Sequence, residues 1–584
     1  MSGDTLVYDM ASMSEGTPQI FVKKDWLNIL DNQNGNYNGN QCVIDTSQLA
    51  NSNKYMNYRE AYLAIPMVLT AGASAATLVA PQTAATSADH TFGLKNWFGS
   101  IVHSMTLDYN GTTIIQQTPY IGLWNSFKLM TTLSKLDIDT NGSTMGFYPD
   151  DALAFGFVPG TGGLATAAAL AGCGTFNNIN YIEPTVVNAA HTTGNVGNIG
   201  FLRRQQYINY DAQASGSTSG IAGGIPAAVG VAGYSTLLST DRAGAQYMSQ
   251  ITTKAAAAAT GCFQISIMAT VHLKHLHNFF ANVPLLKGVF MKLTLNLNQG
   301  FVTLVSTGTS DNYSVVTVTT TAPQGGVLPI MVASQTANSG GAAALAYNTA
   351  GTIVVSLGVG TRPPIASGHT LASGQLPQSV QLYVPAYTFN SVYETAYLSS
   401  PVKKIVYTDV YQYQVLNVGQ GASFNNLLTN GIANIKSVLI LPFFTTSENA
   451  GINPLQSPFD PAGAGPTSPL CLLTNFNVVV AGQNMIYNTQ RYSYEQFIHQ
   501  LQGANSINAD LTDGLTSSLI DRLSFEREYC YYYVNCSRML PVEEAVPKSV
   551  SIIGQNSSLK NIDLYCFIEY GVEVSIDVNS GARV

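Results

Sequence analysis

Three histidines lie close together in the segment HLKHLH, a pattern that could bind a metal or transfer protons. They are His272, His275 and His277. On a strand His275 and His277 would share a face, whereas on a helix His272 and His275 could share one. A zinc site needs three or four converging ligands with supporting groups, and the nearest cysteine along the chain is Cys262. The pattern therefore favours a polar turn or an interface over a metal site.

Carboxylates in short clusters are the next candidates, since paired carboxylates can act as acid and base. The clustered or neighbouring ones are Glu495, Glu526, Glu528, Glu543 and Glu544. Glu526 and Glu528 could share a strand face. Because only 10% of the chain is charged, we expect them to pair with Arg522 or Arg527, or to face solvent.

Motifs for phosphate binding and nucleophilic catalysis are missing from the sequence. The Gly-rich run GTGG, Gly160 to Gly163, is not followed by the Lys-Ser/Thr pair of a phosphate-binding loop. No GxSxG or HExxH occurs. The sequence predicts no catalytic, cofactor-binding or metal-binding residue, no cofactor, and a protein that is not an enzyme.

The composition points to a β protein with much of its surface in contact with other copies. The 584 residues are 46% hydrophobic and only 10% charged, against about 25% charged in typical globular proteins. The net charge is −8, and no run of five Lys or Arg occurs. Because phosphate contacts by basic residues supply most of the affinity for nucleic acid, no direct nucleic-acid binding is expected.

Targeting signals and cysteine usage indicate assembly inside a cell. The first residues show no basic segment followed by an apolar run, and no stretch of 18 apolar residues exists. We therefore expect no secretory signal peptide and no transmembrane segment. The seven cysteines are scattered without a CxxC pair, which predicts free thiols, with Cys530 and Cys536 as small core residues.

Two distant segments share one pattern, a strand, a turn and an aromatic helical start. They run from Ser104 to Phe127 and from Asn475 to Phe497. Apolar residues stand six, four and two positions before a turn glycine, Gly111 or Gly482, as on one face of a strand. Asn110-Gly111 is a strong hairpin signal, whereas Ala481-Gly482 is weaker because alanine disfavours φ > 0. The match predicts a duplicated β domain.

Later strands extend the duplication in order. The segment YCYYYVNCSRM is aligned with CFQISIMATVHL, and IDLYCFIEYGVEVSIDV with GVFMKLTLNLN. From Phe127 to Phe263 is 136 residues, and from Phe497 to Tyr529 is 32, so the first copy carries about 104 more. Many strands with few helices fit a sandwich or jelly roll.

These segments set the expected domain organisation. Residues 1–45 are assigned to an N-terminal arm and 46–389 to a first domain, with insertions near 135–260 and 300–377. Residues 390–584 form the second domain. The insertion at 135–260 is expected to be loop-like. The insertion at 300–377 contains strand formers and two charged residues, Asp311 and Arg362, so an ordered β insertion is expected there.

Several segments together resemble major capsid proteins of virophages and polinton-like viruses. They include FGLKNWFGSIVHSMTLDYNGTTIIQQTPYIGLWNSFKLMTTLS, HLKHLHNFFANVPLLKGVFMKLTLNLNQ, LYVPAYTFNSVYETAYL, FNNLLTNGIANIKSVLILPFF and SPFDPAGAGPTSPLCLLTNFNVVVAGQN. The resemblance implies an all-β fold of two tandem eight-stranded jelly rolls with long loop insertions, mainly in the first roll. It implies homotrimeric, pseudo-hexagonal capsomers in the icosahedral capsid of a double-stranded DNA virus.

The resemblance also implies partners and a location. The partners would be other copies of the chain, with penton and minor capsid proteins, and the location would be the virion after assembly inside the host cell. Two other functions stay open, a surface adhesin and a carbohydrate-active β-sandwich protein. An adhesin should carry an export signal, and a carbohydrate-active enzyme needs two functional carboxylates in a cleft.

Overall fold

The computed structural model describes most of two β units and parts of the segments inserted in them. The described residues are 19–37, 39–50, 52–73, 89–150, 157–158, 175–176, 199–208, 247–250, 262–306, 316–321, 326–335, 351–360, 379–448, 453–458, 462–463, 465–468, 471–486, 491–505, 519–537, 545–558, 560–578 and 582–584.

Strands of the first unit make two facing sheets. In chain order the strands that carry the fold are β1 (Phe21–Leu30), β2 (Gln41–Asp45), β4 (Tyr62–Ala73), β6 (Val102–Tyr109), β7 (Thr112–Ile115), β12 (Cys262–His272), β13 (Met291–Leu297) and β18 (Gln381–Phe389). One sheet has the order β1-β18-β4-β12 and the other β2-β13-β6-β7, with all pairs antiparallel.

The second unit is built the same way with shorter connections. Its strands are β19 (Val402–Val418), β20 (Ser423–Ile432), β21 (Ile435–Phe444), β22 (Leu473–Val480), β23 (Gln483–Asn484), β24 (Tyr532–Asn535), β25 (Lys548–Asn556) and β26 (Ile562–Asp577). The sheets have the orders β19-β26-β21-β24 and β20-β25-β22-β23.

Strand order identifies both units as jelly rolls. With the eight strands of each unit numbered along the chain, one sheet has the order 1-8-3-6 and the other 2-7-4-5, in both units. That is the order of an eight-stranded jelly roll made of two Greek keys. The predicted fold, two tandem eight-stranded jelly rolls, is confirmed. We call the units the first and second roll, and the sheets the 1-8-3-6 and 2-7-4-5 sheets.

Among the described residues, ten further strands belong to insertions or connections of the first roll. They are β3 (Tyr55–Met56), β5 (Asp89–Leu94), β8 (Phe157–Val158), β9 (Thr175–Phe176), β10 (Gln205–Ile208), β11 (Tyr247–Gln250), β14 (Gly300–Ser306), β15 (Val316–Thr321), β16 (Ile330–Gln335) and β17 (Gly351–Val359). β14, β15 and β17 extend the 1-8-3-6 sheet beside β4, and β10, β5 and β16 form a separate sheet. The described parts of 300–377 are thus β structure, as expected, and the rest of that range lies outside the described residues.

Helices in the described residues are short and few. They are α1 (Ser47–Ala50), α2 (Ile121–Thr132), α3 (Lys135–Met145), α4 (Ile199–Arg204), α5 (Leu273–Leu276), α6 (Phe279–Asn282), α7 (Ser391–Leu398), α8 (Tyr494–Asn505) and α9 (Arg522–Arg527), with 3₁₀ turns at Phe98–Ile101, Thr446–Glu448 and Pro454–Gln456. α3 falls in the range expected to be loop. Ser134 and Asp137 form a capping box at its start, which is a strong local signal for a helix. No helix of the described residues has the length and apolar content that a membrane span requires.

Two expectations from the sequence are wrong in detail. Residues 21–45, assigned to an arm, contribute β1 and β2, which pair with β18 and β13. The sequence alignment matched IDLYCFIEYGVEVSIDV, which contains β26, with GVFMKLTLNLN, which contains β13. In the structure β26 is the eighth strand of its roll and corresponds to β18, and the counterpart of β13 is β25, the seventh strand. Apolar content misled the alignment, because β26 is buried on both faces over much of its length.

The matched hairpins occupy the same place in the two rolls, between strands four and five. Asn110 and Gly111 have φ of 46° and 80°, and Ala481 and Gly482 have φ of 50° and 82°. Both turns therefore need left-handed backbone at two positions. A helix of 12 residues follows each hairpin, α2 in the first roll and α8 in the second. The predicted equivalence of the two segments is confirmed by strand order.

Candidate functional site

The two rolls contact each other within the chain through aromatic rings, an ion pair and hydrogen bonds. Helix α2 of the first roll lies on the 1-8-3-6 sheet of the second roll. The ring of Trp124 packs 6.3 Å from that of Phe567 on β26. Phe127 stacks on Tyr533 of β24 with centroids 5.3 Å apart. The outer face of this sheet is therefore covered by aromatic side chains of the other roll.

The sequence of α2 explains why it can be sandwiched between two rolls. Nine of its twelve residues are buried, and a helix that is apolar on most sides is a buried helix. Its buried polar groups are bonded nearby: the Asn125 amide donates to the Leu276 carbonyl at 3.2 Å, and the Ser126 hydroxyl donates to the Gly122 carbonyl at 2.7 Å. The helix is thus fixed to the first roll while its other side faces the second.

One ion pair joins the rolls within this apolar contact. The ammonium of Lys128 lies 3.4 Å from a carboxylate oxygen of Glu569, whose side chain is only 10% exposed. The same ammonium sits 4.9 Å above the ring of Trp124, and the Ser437 hydroxyl donates to Glu569 at 2.7 Å. Removing the Lys128 charge would leave a nearly buried carboxylate without this counter-charge.

Hydrogen bonds to backbone fix the register of the two rolls. The Thr118 hydroxyl of the first roll donates to the Val410 carbonyl at 2.8 Å. In the opposite direction, the Tyr407 hydroxyl donates to the Ile114 carbonyl at 3.0 Å. Directional bonds made from both sides give the contact a single orientation.

His277, one of the three clustered histidines, belongs to the same contact. Its Nδ1 accepts from the Phe279 backbone N–H at 3.2 Å, and its Nε2 lies 3.2 Å from a carboxylate oxygen of Asp409. Since Nδ1 is an acceptor, Nε2 carries the proton and donates to Asp409. Sequence reasoning missed this pair, because Asp409 lies 132 residues further along in the other roll.

His272 and His275 lie together beside Trp97, apart from the His277–Asp409 pair. The two imidazoles are 6.0 Å apart, and His275 meets the Trp97 ring edge-on. Burial, followed by the nearby charge of Lys274, lowers the pKa of both, to about 4 for His275. Neither imidazole is therefore protonated at neutral pH. In the described part of the chain, no three His, Cys, Asp or Glu side chains form a group that could hold a metal.

Carboxylates singled out in the sequence do not converge on a cleft in the described residues. Arg522 bonds Glu526 at 3.2 Å within α9 and lies 3.8 Å from Glu495, so Glu526 shows the expected pairing with Arg522. Glu528 is buried just after α9. Glu543, Glu544, Gly160 to Gly163 and the side chain of Cys262 lie outside the described residues.

A cavity of about 320 Å³ lies in the second roll. Its lining includes Arg491, Tyr492, Phe525 and the thiol of Cys530, with Glu526 as its carboxylate. Burial raises the pKa of the Cys530 thiol to about 12, so this thiol is a poor nucleophile at neutral pH. A single carboxylate does not meet the requirement for glycoside hydrolysis.

In the first roll, the outer face of the 1-8-3-6 sheet is exposed to solvent, whereas in the second roll α2 covers it. Trp26 of β1 and Met268 of β12 are 49% and 52% exposed on it. Tyr62 stacks on Tyr383 at 5.1 Å, and both rings are only half-buried. At one edge, Lys24 pairs with Glu60 at 2.8 Å. An aromatic sheet face with no covering helix among the described residues is typical of an interaction surface.

Comparisons with known proteins find distant structural likenesses. No family model matches the chain, and no curated protein matches it by sequence. The cryo-EM structure of the Sputnik virophage is similar at a TM-score of 0.45 and 10% identity, over 97% of this chain and 89% of that one. The Faustovirus major capsid protein gives 0.43 and 10%, over 96% and 91%.

The mavirus major capsid protein is similar at a TM-score of 0.42 and 9% identity, over 96% of this chain and 89% of that one. The chain is thus similar in structure to virophage and other viral capsid proteins, as its sequence segments suggest. The assignment of two jelly rolls rests on the strand order of this chain.

Proposed function

We propose that this protein is a major capsid protein whose homotrimers, pseudo-hexagonal in outline, form the icosahedral shell of a double-stranded DNA virus. The observation that carries the proposal is the contact between the rolls. Helix α2 of the first roll covers the 1-8-3-6 sheet of the second, so the contact runs head to tail. The counterparts of these two elements, the outer side of α8 in the second roll and the open sheet in the first, face solvent.

A head-to-tail contact that repeats with a closing rotation makes a ring. If α8 of one copy covers the open sheet of the next, each chain supplies two rolls to the ring, and each roll is one wedge of it. Six wedges related by about 60° rotations require three chains, which is the geometry of a pseudo-hexagonal trimer. The low charge of the chain, 10%, supports a subunit whose surface is largely buried among other copies.

The shell function sets the partners and the location. The chain binds other copies of itself, first within the trimer and then between trimers. Penton and minor capsid proteins complete the shell, and the mature location is the virion after assembly in the host cell. No catalytic step is part of this function.

Sizing with light scattering, followed by negative-stain microscopy, tests the proposal. The expected result is a particle of three 62.1 kDa chains with a hexagonal outline. A well-behaved monomer with an open cleft, or a particle without six-fold appearance, would contradict it. That result would favour an adhesin or a carbohydrate-active β-sandwich protein instead.

A further inference from the structure

The cavity of about 320 Å³ in the second roll lies where the ends of both sheets meet two helices. The 2-7-4-5 sheet contributes Leu472, which precedes β22, and Ser557, which follows β25. The 1-8-3-6 sheet contributes Tyr532 at the start of β24. Phe525 of α9 and Tyr494, the first residue of α8, also line it. The cavity is thus built from the regular elements of the roll.

The same place in the first roll is filled. In both rolls the first residue after strand seven donates its backbone N–H to the carbonyl of the residue before strand four. The pairs are Asn298 to Ile101 at 2.6 Å and Ser557 to Leu472 at 2.8 Å. There is no room for a side chain at Gly326, because a Cβ atom there would lie 2.2 Å from Asn298 Oδ1. The long connection between strands seven and eight therefore packs on this place in the first roll.

The second roll has a much shorter connection between strands seven and eight. β25 ends at Asn556 and β26 begins at Ile562, which leaves five residues, 557–561, between them. A connection of this length cannot fold back over the end of the roll as the one in the first roll does. The cavity therefore follows from the difference in connection length between the two rolls.

Aromatic rings form the inner part of the cavity. The rings of Tyr492 and Tyr532 have centroids 5.2 Å apart, and those of Tyr494 and Phe525 are 5.7 Å apart. Three of these side chains are buried, and Tyr494 is half-buried. Pockets lined by aromatic side chains with few polar groups bind ligands that have an apolar or aromatic body.

The polar atoms of this inner part are already bonded to the roll. Each of the three tyrosine hydroxyls donates to a backbone carbonyl, and the acceptors are those of Tyr533, Ile520 and Cys471. The Cys530 thiol donates to the Phe525 carbonyl at 3.5 Å. The tyrosines therefore offer a ligand their rings and not their hydroxyl protons.

A guanidinium at the mouth of the cavity can supply a polar contact. Arg491 is exposed and lines the cavity. Among the described residues, no hydrogen bond and no ion pair within 4.0 Å involves its side chain. The carboxylates of Glu495 and Glu526 lie 3.8 and 3.2 Å from Arg522. Burial raises the pKa of Tyr532 well above its usual value and the charge of Arg491 opposes that rise, so this charge acts on the cavity wall.

We propose that the cavity binds a small carboxylate with an aromatic or apolar body. The body lies against the rings, and the carboxylate accepts from the Arg491 guanidinium, whose planar N–H groups match two carboxylate oxygens. The volume equals that of about ten water molecules, which is the size of a phenyl ring with a short acidic chain. A free acid and the C-terminal residue of a peptide both present this chemistry. All the groups involved belong to one roll, so the site does not depend on the proposed shell function.

Equilibrium dialysis of the purified chain with phenylacetate tests the site. One saturable site per chain is expected, with a dissociation constant of about 0.1–1 mM for a ligand of this size. 2-Phenylethanol lacks the carboxylate and should bind at least about tenfold more weakly, because a charge-assisted hydrogen bond is lost. Absence of saturable phenylacetate binding below about 10 mM, or equal affinity for the alcohol, overturns the proposal.

Arg491→Gln tests the named contact. It should weaken phenylacetate binding by about tenfold to a hundredfold and leave the binding of 2-phenylethanol unchanged. The matched control is Arg203→Gln on α4, an exposed arginine of the first roll that pairs with Asp139 at 3.3 Å, and it should bind phenylacetate as the wild type does. Both variants should keep the wild-type unfolding midpoint, because both guanidiniums are exposed. No loss in Arg491→Gln, or an equal loss in the control, overturns the role of Arg491.

Photo-cross-linking with 4-azidobenzoate locates the bound acid. Mass spectrometry should find the label on peptides that contain residues 491–494 or 525–532, and excess phenylacetate should suppress it. Labelling confined to other peptides overturns the assignment of the cavity.

Two peptides distinguish the sources of the ligand. If the natural ligand is a chain terminus, Gly-Gly-Gly-Phe with a free carboxylate should displace phenylacetate, whereas its C-terminal amide should not. If the ligand is a free acid, phenylacetate binds and neither peptide displaces it. Displacement by the amide as strong as that by the free peptide overturns recognition of the carboxylate.

Discussion

The two 1-8-3-6 sheets have the same strand order and opposite surroundings. In the second roll, Phe567 on the eighth strand is fully buried beneath α2. In the first roll, Trp26 on the first strand is half exposed. Strand order therefore does not decide which sheet face is covered. The helices after strand five differ instead: α2 places Trp124 and Phe127 against the sheet of the other roll, whereas the outward side of α8 carries Glu495 and His499.

The covered and the open sheet also differ in the residues of their eighth strands. Seven of the first eight residues of β26 are buried, and Asp563 is the half-buried exception. β18 instead carries two half-buried tyrosines, Tyr383 and Tyr387, and alternates only over Gln381–Val384. A strand buried on both faces is a nearly continuous apolar run, whereas a half-exposed one alternates. The composition of the eighth strand thus matches the surroundings of its sheet.

Trp124→Ala breaks the covered contact and should have the largest effect. The loss of a buried tryptophan between the rolls should lower the free energy of unfolding by about 3–5 kcal/mol. Urea unfolding followed by circular dichroism measures it. Leu136→Ala on α3, where the side chain is 71% exposed, is the control and should change stability little. Equal effects would mean that α2 does not anchor the second roll.

The titration of His275 tests how α5 stabilises α2. His275 lies on α5, and the Asn125 amide of α2 donates to the Leu276 carbonyl of α5. Burial lowers the pKa of His275 to about 4 in the folded state, against about 6.5 when unfolded. The unfolded chain therefore binds the proton first as the pH falls, and folded stability declines from about pH 6.5 towards about pH 4. The expected contribution is about 2–3 kcal/mol.

Urea unfolding at neutral pH and near the folded pKa measures this dependence. His275→Gln should remove that part of the loss at the acidic pH, because glutamine does not titrate. An unchanged pH dependence in the variant would show that this imidazole is solvated in the folded protein.

Trp26→Ala tests the open sheet and should separate assembly from folding. In the isolated chain the side chain is half exposed, so the free energy of unfolding should change by less than about 1 kcal/mol. Trimer formation should weaken by about tenfold to a hundredfold, as for an aromatic residue central to an interface. Light scattering across a concentration series measures it. Val406→Ala, at an exposed position of β19, should leave the trimer intact.

Substitutions in the turns between strands four and five should have the smallest effect on stability. Ala481 has a positive φ that asparagine tolerates better. Ala481→Asn should therefore stabilise the second roll by about 0.5–1 kcal/mol. The reverse change, Asn110→Ala, should destabilise the first roll by at least as much, because the Asn110 side chain also accepts from the Phe290 backbone N–H. Thermal unfolding measures both, and two changes of the same sign would show that the left-handed backbone costs alanine little here.

Local signals in the sequence predicted the duplication but not the contact between the rolls. Turn glycines and alternation located the hairpins at Gly111 and Gly482, because both are set by neighbouring residues. The arm assignment failed at β1, where Trp26 and Leu30 point to solvent and obscure the alternation. The His277–Asp409 pair joins residues of different rolls, and nothing in either local sequence specifies its partner.

The short connection between the rolls makes the contact within one chain and the proposed contact between chains depend differently on protein concentration. β18 ends at Phe389 and β19 begins at Val402, with only α7 and a few residues between them. A short tether holds its ends at an effective concentration in the millimolar range. The docking of α2 on the second roll is therefore independent of how much protein is present, whereas the proposed docking between chains would follow mass action. A dilute chain would remain a folded pair of rolls, and the amount of protein synthesised would set when rings begin to close.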